Sequence, residues 1–342
     1  MAKSLADELL PDFVRNAISR TIEPSIHLRA NGKGVCSFKT QHERRQTYFL
    51  SMAQLWHLGF RIKKLESLAA KHVDALMAYW HANNLSASML HTRRSMLSVL
   101  CNWMGKENVV KNLTDYLPAE AVRRSTVATE SKTWEANGVD PLEIIELAKQ
   151  VDERLAVMLA LQYRFGLRVK ESIEFRPANA LIDGGEAIEI HEGTKGGKPR
   201  RIPVDTPERL AVMSWARSVA ITGNTKRLRW TDCTWKQAQR RFYHYLGDRL
   251  GVSKKLMGVT AHGLRHGYAN VFYREETGCA TPIEGGALGK ITRAEHQMAS
   301  LTVSRALGHG RIDVTASYYG SYGHALRPQA PVSMSYALNL PA

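Results

Sequence analysis

The chain has 342 residues, 44% hydrophobic and 23% charged, the balance of a folded protein rather than a disordered or fibrous one. Its 47 Lys and Arg outweigh 32 Asp and Glu by +15, which points to a polyanionic partner, nucleic acid first among them. No apolar run reaches the roughly 18 residues of a membrane span, and the four cysteines (Cys36, Cys101, Cys233, Cys279) form no C-x-x-C pair, so neither a zinc site nor a disulfide framework is expected.

The opening stretch M-A-K-S-L-A-D-E carries acids where a secretory signal is basic and then apolar, so a cytoplasmic protein is expected. Leu5, Leu9, Leu10, Phe13 and Ile18 share a helical face that Pro11 interrupts, and residues 1–39 read as an extension with no assigned role. Thr40-Gln41-His42-Glu43 has the form of a capping box opening a helix that runs to about Leu58 and stops at Gly59. A second helix is expected over Ala69–Asn83, with Val73, Leu76, Met77 and Trp80 on one stripe. The third starts at Ser86 or Ser88, with Leu90, Leu97, Leu100, Cys101 and Met104 inward and His91, Arg93 and Arg94 outward. Most charged faces are merely solvated; in a chain this basic, a face that tracks phosphates is at least as good a reading.

From Glu107 to Asn137 the apolar period fades, and a linker is expected. Asp140-Pro141 with Glu143 then opens a helix strongly, and a second, more apolar helix runs from about Asp152 to Gly166. G-L-R-V-K-E-S follows. An arginine after so apolar a helix needs an anion: Arg168 either pairs structurally with Glu171 or is held by it and aimed at a phosphate. Three strands are expected at Phe175–Leu181, Ala187–His191 and Arg201–Val204, and Lys195 and Lys198 sit in the second turn with Arg200 and Arg201 behind. Helices from Thr206-Pro207 and from Asp232 or Thr234 come next, the latter carrying Arg240, Arg241 and Arg249. In A-H-G-L-R-H-G-Y-A, His262 and Arg265 stand one turn apart with His266 adjacent. Residues 277–300 read as a loop or insertion before a helix that ends at Gly308. Asp313 or Thr315 then caps a short helix that carries Tyr318 and Tyr319 and ends at Gly320.

Taken in this order, G-L-R-V-K-E, K-G-G-K-P-R-R-I-P-V, H-G-L-R-H and L-G-H-G-R-I-D-V-T-A-S-Y resemble the tyrosine recombinases, the phage-integrase-like family. The motifs span 138–322, and residues 40–106 are more weakly similar to the family's helical core-DNA-binding (SAM-like) domain. The resemblance implies a mainly α fold with a small antiparallel β-sheet in the catalytic domain, and a two-domain clamp on double-stranded DNA. Its expected parts are the extension 1–39, the helical domain 40–106, a linker 107–137, the catalytic domain 138–325 and a tail 326–342.

Position by position, the resemblance makes Arg168 the first catalytic arginine, Glu171 its supporting acid and Lys195 the general acid in the hairpin turn. His262 and Arg265 match the H-x-x-R pair, with His266 in support, and His309 matches the later histidine. Tyr318, nine residues after His309, matches the nucleophile. The expected DNA contacts are His91, Arg93, Arg94, Lys198, Arg200, Arg240 and Arg241. The chemistry is cleavage and rejoining of DNA through a 3′-phosphotyrosine, integrating or excising a mobile element, with no metal and no cofactor. A homotetramer on synapsed sites, a monomer or weak oligomer when free, and an accessory directionality factor belong to the same expectation. Two readings stay beside it: a topoisomerase of type IB-like chemistry, and a DNA-binding protein whose active site has decayed.

Overall fold

In the computed structural model, which describes residues 5–194, 199–221, 226–309 and 311–324, the chain divides into one unit ending at Ser125 and another starting at Thr126. Among the described residues, six α-helices build the first: α1 (Leu5–Leu9), α2 (Asp12–Ile22), α3 (Phe38–His57), α4 (Ala70–Ala82), α5 (Ala87–Trp103) and α6 (Ala119–Val122). Ser37, not Thr40, opens α3, its hydroxyl accepting from the Thr40 backbone N–H at 3.2 Å. Ser86 caps α5 in the same way, on Met89.

The described part of the expected extension, residues 5–39, is no separate appendage. Pro11 ends one helix and begins the next, and Val14, Ile18 and Ile22 then repeat every four residues into the core that holds Tyr48, Met52, Leu55, Leu76, Trp80, Leu97 and Leu100. The expected linker also shrinks, because Val110, Leu113, Leu117 and Val122 close the same core.

The second unit is organised on α8 (Glu153–Phe165), whose residues Leu155 to Leu161 are all buried. It packs against α7 (Pro141–Val151), which Asp140 caps by accepting from the Leu142 N–H at 2.8 Å. After Gly166 come α9 (Val169–Glu174) and α10 (Pro177–Ala180). Most of the expected first strand is therefore helical, since Pro177 suits the first position of a helical turn. The sheet is small and antiparallel: β1 (Leu181–Ile182), β2 (Ala187–Ile190) and β3 (Arg200–Pro203), in that order, with Ile188 opposite Ile202 and Ile190 opposite Arg200.

The remaining helices are α11 (Pro207–Ile221), α12 (Trp235–His244), α13 (Lys254–Met257), α14 (His262–Thr277), α15 (Arg293–Ala306) and α16 (Ala316–Tyr319). The last third of the expected 277–300 insertion is thus the start of α15, fixed by a Thr292–Glu295 capping box. Both α11 and α14 pack on α8, and α14 carries α15 and α16. Among the described residues, no helix is long and apolar enough to cross a membrane.

Candidate active site

Glu171 is the centre of the site. It stands three residues into α9, and its Oε2 accepts from the Arg168 backbone N–H at 2.7 Å, the acidic half of a capping box. Its Oε1 accepts from the Arg168 side chain at 2.7 Å, and the two terminal nitrogens of Arg200 fork onto Oε1 and Oε2, each at 2.7 Å. Arg265 lies 4.0 Å from Oε2. Burial by itself would raise this carboxyl's pKa; the Arg200 fork and the charges of Arg200, Arg168 and Arg265 outweigh it and hold the value at about 2.

Main-chain carbonyls aim the arginines. Arg265, wholly buried on α14, donates to the carbonyls of Gly166 and Leu307, and Arg168 donates to the same Leu307 oxygen at 3.4 Å. Both carbonyls lie at helix ends, where they have no partner within the helix. Gly166 holds φ +60°, and a Cβ there would meet the Tyr268 ring at 2.4 Å, so glycine is required twice over. Burial lowers the Arg265 pKa to about 10, which leaves it charged at neutral pH.

His262 opens α14 with one edge in solvent. Partial burial, then Arg265, Arg168 and Lys132 nearby, lowers its pKa to about 4. His266 reaches about 4 mainly through burial and then through His262. Both rings are neutral at pH 7. Lys132 falls within the expected linker, yet the 132–134 segment passes directly over α14. A Cβ on Gly263 would lie 2.6 Å from the Trp134 ring and 2.7 Å from the Lys132 carbonyl oxygen, and Trp134 itself is buried, donating to the Thr260 carbonyl at 2.7 Å. The signal that could have found Lys132 is the anchoring tryptophan two residues on.

The two neighbouring tyrosines part company. The Tyr318 hydroxyl lies 3.1 Å from His309 Nε2 and accepts from Arg265 Nε at 3.3 Å. Its ring sits 4.6 Å from that of His266 and 5.9 Å from that of His262. Tyr319 turns the other way, donating to Ser300 at 3.2 Å with its ring 4.7 Å from Tyr273, and burial raises its pKa.

The structure thus brings Arg168, Glu171, His262, Arg265, His266, His309 and Tyr318 together. Lys195 and Lys198 lie outside the described residues, as does the tail 326–342. Gly193, just before the turn, approaches α9 so closely that a Cβ would stand 3.0 Å from the Glu171 backbone.

The expected DNA contacts need correcting at Arg200. It belongs to the inward row of β3 with Ile202, is 5% exposed, and is committed to Glu171. Other members are partly engaged within their own units. His91 contacts the Val122 carbonyl at 2.9 Å, Arg94 donates to the Lys111 carbonyl at 2.7 Å, and Arg93 lies half-buried over the Trp80 ring. Arg241 forks onto Asp232, and Arg240 is exposed. Among the described residues, no group of three or more His, Cys, Asp or Glu could hold a metal ion.

A tyrosine hydroxyl set between an arginine and a histidine, beside three guanidiniums sharing one carboxylate, defines a site equipped for phosphoryl transfer with charge supplied by arginine. The family described as Integrase matches residues 125–271, and Phage integrase, N-terminal, matches residues 23–110. The chain belongs to the phage-integrase family of tyrosine recombinases. The first match takes in Arg168, Glu171, His262 and Arg265 and ends before His309 and Tyr318.

The chain is 25% identical to tyrosine recombinase XerC of Proteus mirabilis over 236 residues, 66% of this chain and 72% of that one. In fold it is similar to a lambda integrase dimer bound to a COC′ core site, with a TM-score of 0.56 at 14% identity over 95% of this chain and 80% of that one. The Tn1549 transposon integrase in complex with transposon right end DNA gives 0.56 at 12% identity, over 92% and 97%.

Proposed function

We propose that the chain is a site-specific recombinase that cleaves and rejoins double-stranded DNA through a covalent 3′-phosphotyrosine, integrating or excising a mobile element. The observation that carries this reading is the Tyr318 hydroxyl held by Arg265 and His309, while Tyr319 is committed to Ser300. The scissile phosphate binds between Arg168 and Arg265, whose remaining N–H groups, with His309, take the non-bridging oxygens as charge builds on them. Tyr318 Oη attacks phosphorus, and its proton passes to His262, which a pKa of about 4 keeps neutral and able to accept. The P–O5′ bond breaks as Oη–P forms, and Lys195, assigned by its motif, protonates the leaving oxygen. A 5′-hydroxyl of a second duplex reverses the step, so no nucleotide is consumed. The reading extends to a homotetramer on two synapsed sites, an accessory directionality factor and a cytoplasmic setting; these rest on the motif resemblance alone.

The test is covalent capture. The protein is incubated, in excess chelator, with a pool of randomised duplexes nicked so that cleavage releases a short fragment. SDS-resistant adducts are sequenced and peptide-mapped. The expected adduct is on Tyr318 and is absent from Tyr318→Phe. No adduct from the wild-type chain overturns the reading, and an adduct on Tyr319 overturns the assignment.

A further inference from the structure

Arg200 does more in this site than fill space, and none of the roles assigned above uses it. It heads β3, is 5% exposed, and spends both terminal nitrogens on Glu171. A carboxylate accepts about four hydrogen bonds. Glu171 receives four: two from Arg200, one from the Arg168 side chain and one from the Arg168 backbone. Arg265 stands just outside this set, 4.0 Å from Oε2, with its own donors on Gly166, Leu307 and the Tyr318 hydroxyl. The Arg200 stem runs against Gly308, where a Cβ would meet its Cδ at 3.0 Å, so the residue before His309 is shaped around it.

Resting on the recombinase reading, we propose that Arg200 is a positioning residue that saturates Glu171, and so keeps Arg265 aimed at the scissile phosphate and the site rich in positive charge. Three guanidiniums on one carboxylate leave two uncompensated positive charges for the phosphate. Without Arg200 one of these is lost. Glu171 then has two vacant acceptor positions, and Arg265 is the nearest cation to fill them. Closing that gap draws Arg265 away from the Tyr318 hydroxyl and from the phosphate.

The experiment compares full-length wild type, Arg200→Met and Arg200→Lys on the duplex recovered by covalent capture, with either a phosphate or an uncharged methylphosphonate at the scissile position. At saturating protein, Arg200→Met should cleave the phosphate about 100-fold more slowly, the scale of losing one transition-state donor. DNA affinity should be unchanged. The defect should shrink on methylphosphonate, which has one less charge to neutralise. In Arg200→Met the rate should begin to fall at higher pH than along the His262 limb of the wild type, because Glu171, without the fork that holds its pKa at about 2, is protonated as well. Arg200→Lys keeps the charge but not the fork, so its rate should fall between the other two, with the same upward shift.

Wild-type rates in both variants overturn the proposal. So does an equal loss on both substrates with an unmoved acid limb, which marks a purely structural arginine. If Arg200→Met does not fold, Arg200→Lys decides alone, and a wild-type pH profile there overturns it. A wild-type chain that forms no adduct removes the recombinase reading itself, and the proposal with it.

Discussion

Replacing Glu171 with Gln removes the anion that three guanidiniums share. On folding, the carboxyl's pKa falls from an ordinary 4.5 to about 2. At about 1.4 kcal/mol per pH unit, that fall corresponds to about 3 kcal/mol of stability at neutral pH. A depressed carboxyl pKa contributes fully above the unfolded value and loses its contribution as pH drops through the folded one. Glu171→Gln should therefore be about 3 kcal/mol less stable than wild type at pH 7, and the gap should close to roughly half of that by pH 3. Urea unfolding at the two pH values measures it, with amide exchange in α9 and β3 reporting on the second unit. A gap that stays constant with pH, or a Gln variant as stable as wild type at pH 7, refutes the argument that these charges hold the site together.

Tyr318→Phe should keep DNA binding and form no adduct on a nicked duplex, whereas Tyr319→Phe should keep the adduct and lose about 1 kcal/mol in thermal or urea unfolding, the worth of its bond to Ser300. The cleavage rate should be flat through neutral pH and fall as His262 protonates near pH 4; His262→Asn should lower the rate and abolish that limb in a single-turnover pH series. Arg240→Ala should flatten the slope of log K against log salt by about 0.9, one phosphate contact, in a binding titration. An unchanged slope removes exposed Arg240 from the DNA surface.

Local chemistry made much of this legible in the sequence. The Asp140-Pro141 cap, the left-handed glycines at 166 and 308, and the end of α16 at Gly320 each follow from one or two residues with strong backbone preferences. The clustering of Arg168, His262, Arg265, His309 and Tyr318 follows from motif order, which stands in for contacts that spacing cannot supply.

What was missed depended on tertiary context. Pro11 read as an interruption, although Val14, Ile18 and Ile22 resume a four-residue period beyond it. Val110, Leu113, Leu117 and Val122 lie too far apart among polar residues to announce a core. By sequence alone Arg200 stands with Lys195, Lys198 and Arg201 as one more expected cation at the turn. The alternation Arg200 inward, Arg201 outward, Ile202 inward was there to be read, but an inward arginine makes sense only once Glu171 is known to be waiting.

The main-chain aiming of Arg265 bears on how such a site persists through divergence. An oxygen belonging to the peptide of Gly166 or Leu307 is present whatever side chain is encoded there, so long as the helix end keeps its conformation. Substitution can then rework the neighbouring surface without releasing the arginine. The vulnerable changes are those that alter backbone shape, above all at the left-handed glycines. Drift in this chain should accordingly be slow at a few small residues and fast among the large ones around them.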